Sequence, residues 1–192
     1  KKLIDGESDI EAVVKGTDYE NLDLLPADFT YRHMDTFLAQ IEDPVERFNS
    51  LIKPFAEEYD YIFLDCPPSI SSLSESIFAT ADIVLVPTIP TTLSLRTYQQ
   101  ILAFFEQQGL DKSKVLPFFV MVDRRKKMHR LILQHPPSFM LSLLKSYIPY
   151  ASEVERMGQH RAPLTVFAAR SRAAECYTSM WDELRSLIYA MD

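Results

Sequence analysis

Three apolar runs leave this chain little freedom in how it folds. Tyr61-Ile62-Phe63-Leu64 stops at Asp65-Cys66-Pro67-Pro68, Ile83-Val84-Leu85-Val86 stops at Pro87, and Phe118-Phe119-Val120-Met121-Val122 stops at Asp123. None alternates polar with apolar residues. Each therefore predicts a strand buried on both faces, as in a parallel sheet covered by helices on either side. The intervening segments are long enough for helices, roughly Ser72 to Thr80 and Leu93 to Gln108, with Gly109 as a stop. Parallel strands joined by helices imply right-handed βαβ crossovers. The expected fold class is α/β, a layered α/β/α domain with a mostly parallel sheet. No internal repeat or linker-like stretch interrupts it, so residues 1–192 are expected to form a single domain.

The remaining elements follow from local signals. Ser8-Asp9-Ile10-Glu11 has capping-box spacing and predicts a short helix to Lys15, stopped by Gly16. Asn21 to Pro26 reads as a short strand, and a helix is expected from about Thr30 to Ile41. Asp43-Pro44 reads as an N-cap followed by proline at the first helical position, and Val45, Phe48, Leu51, Ile52 and Phe55 form one apolar stripe at helical spacing. Pro136-Pro137 ends a helix begun near Leu131, and a further helix is expected from Ser138 to Ser146. Tyr147-Ile148-Pro149-Tyr150 reads as a last strand, and a long final helix runs from about Ser171 to Tyr189.

Composition excludes several function classes. The 192 residues are 47% hydrophobic and 24% charged, which is ordinary for a globular protein and unlike a disordered tail. A net charge of -7 argues against a whole-surface nucleic-acid binder, so any such contact needs a local patch. Cys66 and Cys176 form no CxxC pair, which fits a reducing, cytoplasmic setting. No apolar run approaches a membrane span, and the N-terminus lacks the shape of a signal peptide. His33, His129, His135 and His160 have no metal-ligand spacing. Ser69, Ser71, Ser72, Ser74 and Ser76 form a serine-rich turn without a GxSxG elbow, so caps and turn hydrogen bonds are their expected role.

Asp65 carries the sharpest chemistry. A buried strand delivers its carboxylate to the C-terminal end of a sheet, where open α/β folds bind ligands. The plainer role is a turn cap. After Asp123, Arg124, Arg125, Lys126, Lys127 and Arg130 put five cations into seven residues of an acidic chain. They are candidate contacts to phosphate, of nucleotide or of DNA, or else a solvated helix start. A cationic helix N-terminus opposes the macrodipole, which favours a phosphate partner there. Asp123 is a candidate contact to the base or ribose of a nucleotide, and Pro149 and Tyr150 are candidates to line a base pocket, Tyr150 by stacking or else by ordinary packing in the core.

Together these segments resemble the ParA/MinD family of deviant-Walker ATPases, whose nucleotide-binding domain is shared with cobyrinic acid a,c-diamide synthases. The resemblance is carried by Asn21 to Ala27, Tyr59 to Pro68, Ala81 to Pro87, Val122 to Arg125, Ile148-Pro149 with Glu153 and Arg161-Ala162-Pro163-Leu164, and Ser171 to Tyr177. It covers nearly the whole chain, and the partitioning branch fits best. It implies a P-loop NTPase-type fold, ATP and Mg²⁺ as cofactors, and Asp65 as the Walker B aspartate, acting on the metal and in catalysis. It further implies an ATP-bound homodimer, non-specific DNA contact and a partner protein that stimulates hydrolysis. MinD-like members add a basic amphipathic membrane helix, but here Tyr177, Met180, Trp181, Leu184, Leu187 and Ile188 share the final helix with Asp182 and Glu183 and read as a core stripe, so no membrane anchor is expected.

Two departures stand beside the resemblance. The chain has only four glycines, Gly6, Gly16, Gly109 and Gly158, and no two are close. The family's Gly-rich phosphate loop is therefore not among these residues, and the sequence reads as the C-terminal part of a longer ATPase domain, incomplete at its N-terminus. ATP hydrolysis is accordingly expected of the full-length protein. Tyr150 also stands where the family often has arginine. Three rivals share the scaffold: a non-catalytic interaction domain, a MinD-like or cellulose-synthesis-type positioning ATPase, and the ATP domain of a cobyrinate amidotransferase-like ligase.

Overall fold

The computed structural model describes residues 14–26, 41–66 and 71–190. The chain divides into two compact units, Lys1–Ala81 and Asp82–Asp192.

In the first unit, β1 (Lys15–Gly16) and β2 (Asp23–Leu24) pair antiparallel. Thr17 closes the intervening turn, its hydroxyl donating to the Leu22 carbonyl at 2.6 Å. Asn21 takes the left-handed conformation at φ 58°, which asparagine tolerates. Lys15 and Gly16 are thus strand residues and not the end of a helix, because their backbone is used by the ladder to β2. The helix expected from Ser8 and the one expected from Thr30 to Ile41 lie largely outside the described residues.

Helix α1 (Pro44–Glu58) starts as expected, with the Asp43 carboxylate accepting the Glu46 N–H at 2.9 Å. Its stripe of Val45, Phe48, Leu51, Ile52 and Phe55 is half-buried throughout. The hydroxyl of Tyr59 donates to the Asp23 carboxylate at 2.7 Å and ties the end of α1 to β2. That bond, to a carboxylate, pushes the Tyr59 phenol up to about 12. Residues 61–66 follow as irregular chain, outside any ladder among the described residues. Ile62 is 37% and Phe63 69% exposed. The strand expected at 61–64 is therefore not formed as a ladder member; an apolar run specifies a tendency to be covered and does not supply a neighbouring strand. Helix α2 (Ser72–Thr80) closes the unit and buries Ile77.

The second unit holds a sheet of three parallel strands in the order β3 (Val84–Thr88), β4 (Val115–Val122), β5 (Tyr147–Pro149). Consecutive order with helical crossovers is the expected βαβ arrangement. Helix α3 (Thr92–Gln107) joins β3 to β4 and buries Tyr98 and Phe105. Its end is a Schellman cap: Gly109, at φ 66°, donates to Glu106, and Leu110 donates to Phe105. Pro117 lies in the central strand, where a missing donor is normally costly. At that level β4 pairs only with β3, and on the other side the Pro117 carbonyl accepts the Leu144 N–H at 3.0 Å.

Helix α4 (Lys127–Gln134) follows β4. Residues 138–146 do not form the expected helix. Met140 and Leu144 are buried there, and the Glu183 carboxylate accepts the N–H groups of Lys145 and Ser146 at 2.7 and 2.8 Å. These tertiary bonds replace the helical ladder. Three short helices, α5 (Ser152–Glu155), α6 (Met157–His160) and α7 (Leu164–Phe167), precede α8 (Arg172–Ile188). Leu184 of α8 packs with Leu116 and Leu144, and Ala173 and Ala174 pack with Leu164. Among the described residues no helix is long and apolar enough to cross a membrane.

Candidate functional site: the turn at the end of the central strand

β4 ends in an irregular step. Its register against β5 shifts between Phe119 and Val122, and Met121 adopts φ 53°. A left-handed conformation costs a non-glycine residue roughly 1–2 kcal/mol, and such strain clusters where a strand end is re-aimed. Beyond it, β5 stays in step: Val122 faces Pro149, and the Tyr150 N–H donates to the Val122 carbonyl at 3.0 Å. Pro149 is half-buried in the edge strand, where its missing donor is tolerated. Tyr150 is half-exposed, and its hydroxyl bonds to the Glu155 carboxylate, which raises its pKa.

Asp123 is the hub of the turn. Its Oδ1 accepts the Arg125 backbone N–H at 3.0 Å and Arg125 Nε at 2.9 Å, and its Oδ2 accepts Arg125 Nη2 at 3.0 Å. The Arg125 fork holds the Asp123 carboxyl down to about 2. The Asp123 backbone N–H donates to Nδ1 of His129 at 3.1 Å, and its carbonyl accepts the Lys126 N–H at 3.0 Å. His129 is buried. Burial first, and Lys126 second, push its pKa below 6.5, against the opposing pull of Asp123. Nδ1 therefore acts as the acceptor of a neutral imidazole. Arg130 turns back over the loop, its Nη1 donating to the carbonyls of Arg124 and Arg125 at 2.8 and 3.1 Å. Arg124 lies over the Tyr147 ring, 5.9 Å from its centroid. Lys126 and Lys127 are exposed, and neither has an ion-pair partner among the described residues.

The second unit thus brings together Asp123, Arg124, Arg125, Lys126, Lys127, Arg130, Pro149 and Tyr150. Asp65 belongs to the first unit, at the end of residues 61–66, and its side chain is exposed. Its charge, after burial, pushes the neighbouring Cys66 thiol up. Pro67 and Pro68 lie outside the described residues.

A family model described as an AAA domain matches residues 1–116, more than half of the chain. The sporulation initiation inhibitor protein Soj of Bacillus subtilis is 25% identical over 187 residues, covering 95% of this chain and 74% of Soj. A candidate plasmid partition protein of Borrelia burgdorferi bound to AMPPNP superposes with a TM-score of 0.81 at 15% identity, covering 96% of this chain and 72% of its own. The cell-division ATPase MinD of Pyrococcus furiosus superposes with a TM-score of 0.72 at 18% identity, over 97% of this chain and 74% of its own.

The chain belongs to the ParA/MinD family of ATPases.

For a ParA/MinD ATPase, two features of the turn were not visible in the sequence. His129, whose sequence spacing gives no metal-ligand pattern, is a buried acceptor for the Asp123 backbone N–H. Glu155, which fixes the Tyr150 hydroxyl, carries no local signal either, although Glu at i+5 from an exposed tyrosine is within reach across a short turn. Among the described residues no group of three or more His, Cys, Asp or Glu converges to hold a metal ion.

Proposed function

We propose that this chain is part of a ParA-type ATPase that acts as a nucleotide-dependent dimerisation switch in chromosome or plasmid partitioning. The observation that carries this reading is the convergence of a strand-end carboxylate, an exposed aromatic ring and a basic loop at the C-terminal ends of β4 and β5. Ligands of open α/β sheets bind at that end of the strands.

In this reading residues 1–192 belong to one nucleotide-binding domain, and the protein is cytoplasmic. Asp123, Pro149 and Tyr150 flank the base and ribose of ATP. Both Asp123 oxygens are already engaged by Arg125, so they would use their remaining lone pairs. Asp65 is the Walker B aspartate. A magnesium ion at a phosphoryl-transfer site needs only one or two carboxylates, the rest of its shell being water and phosphate oxygens. A single exposed carboxylate at Asp65 fits that requirement. When bound, the ion would neutralise charge developing on the phosphates, and Asp65 would orient it directly or through a water. The ATP-bound form is a homodimer that holds non-specific DNA through the basic loop at Arg124 to Arg130. A partner protein stimulates hydrolysis, and hydrolysis releases the dimer.

Sedimentation of the full-length protein with Mg·ATP, with Mg·ADP and with no nucleotide tests the switch. A dimer with ATP alone, retaining a random-sequence DNA duplex, is the expected result. The same mass in all three states would contradict it.

A further inference from the structure

The basic loop contains five cations, but the structure does not leave them equivalent. The guanidinium of Arg125 is committed to both oxygens of Asp123 through Nε and Nη2, and its backbone N–H is bound by the same carboxylate. Arg130 spends its Nη1 on the carbonyls of Arg124 and Arg125. With the Asp123 N–H on His129 and the Lys126 N–H on the Asp123 carbonyl, the loop from 123 to 130 is closed upon itself by hydrogen bonds. All five side chains are exposed, Arg125 to 83%. What separates them is that the side chains of Lys126, Lys127 and Arg124 have no carboxylate within ion-pair distance among the described residues and donate to no carbonyl of the loop, Arg124 resting over the Tyr147 ring.

We infer that Arg125 and Arg130 are positioning residues that lock this loop, and that Arg124, Lys126 and Lys127 alone face a phosphate backbone. The inference rests on the DNA-binding reading above and divides its five candidates into two roles. The bidentate fork requires arginine: an ammonium is a point charge that cannot bridge both oxygens in the plane of the carboxylate. The Asp123–Arg125 pair is also electrically neutral as a unit, so it adds nothing to the long-range attraction of a polyanion. Its contribution is to fix where the neighbouring cations point.

The test is a salt series of binding to a short random-sequence DNA duplex, using the full-length protein with Mg·ATP. Lys126→Gln should lower the slope of log K against log salt by about 0.9, the value of one phosphate contact. The double variant Asp123→Asn, Arg125→Gln leaves the local charge unchanged; because Asp123 is also placed beside the nucleotide, each protein is compared at an ATP concentration that saturates it. It should weaken binding several-fold at every salt concentration while the slope stays at the wild-type value. Arg125→Lys, which preserves charge, should weaken binding similarly. A slope lower by about 0.9 in the double variant, or wild-type affinity in Arg125→Lys, would overturn the division of roles.

Wild-type protein with no salt-dependent binding would instead sink the DNA reading. The lock itself is then still decided by hydrogen exchange at the Asp123 and Lys126 amides. They should exchange slowly in the wild type and faster in Arg125→Lys. Equal rates would show that Arg125 does not position the loop.

Discussion

The two units reach order by different means. In Asp82–Asp192, three parallel strands run into one another, and Phe105, Val115, Phe119 and Ile148 are buried between the sheet and its helices. In Lys1–Ala81, the described ladder is two residues long on each side, and Ile77 is the one hydrophobic side chain buried among the described residues. Its α1 stripe is half-covered, and Phe63 stands largely in solvent. The second unit carries its own interior. Among its described residues the first shows caps, turns and the Tyr59–Asp23 bond, which are no substitute for buried apolar area.

The contrast predicts an ordering of mutational costs. Phe105→Ala, at a fully buried site, should destabilise the second unit by about 3–5 kcal/mol, read as a lower denaturant midpoint; a loss below about 1 kcal/mol would mean that the interior is loosely packed. Glu183→Ala removes the acceptor of two backbone N–H groups and should cost about 2 kcal/mol. Burial opposes the Glu183 charge, but the Lys145 and Ser146 donors prevail and hold its pKa below 4.5. Its contribution is therefore present above pH 4.5 and lost as pH falls through the lower folded value. The variant should show a flatter acid limb in thermal melts. A parallel acid limb would remove Glu183 from the account. In the first unit, Asp43→Ala should cost about 1 kcal/mol, the usual value of an N-cap, and the effect should appear in hydrogen exchange of α1 before it appears in the melting of the second unit.

His129 gives the smallest and most specific effect. Its neutral imidazole accepts the Asp123 N–H, and its folded pKa lies below 6.5. The unfolded chain binds the proton more readily, so this contribution is complete above pH 6.5 and falls away as pH drops through the folded value. Lys126 and Asp123 face the ring with opposite signs, and burial outweighs both. His129→Gln keeps an acceptor without titrating. It should melt with less pH dependence than the wild type between about pH 5 and pH 7. An identical pH profile would show that the imidazole does not titrate with unfolding.

Much of the second unit was legible because its elements announce themselves locally. The runs at Ile83 to Pro87 and Phe118 to Val122 cover most of β3 and most of β4, and Gly109 marks the end of α3; in the first unit Asp43-Pro44 likewise marks the start of α1. What escaped was decided at a distance. Residues 138–146 have helical composition, yet Glu183 of α8 takes their N–H groups. The run at 61–64 looks like its two counterparts, but pairing depends on a neighbour that the run cannot specify. Lys15 and Gly16 were drawn to β2 across a turn. The site behaved likewise: the strand-end Asp123 and the cations after it were evident, whereas their division into members bonded within the loop and members without such bonds depends on which guanidinium reaches which oxygen.

In the proposed ATPase the Asp65 carboxylate serves phosphoryl transfer, and the turnover of Mg·ATP in full-length Asp65→Asn protein, measured beside its melting temperature, tests this. The melt should be unchanged and kcat should fall by roughly 10²-fold or more, as when one electrostatic stabiliser of the transition state is removed. Near-normal turnover in a folded Asp65→Asn protein would contradict that role.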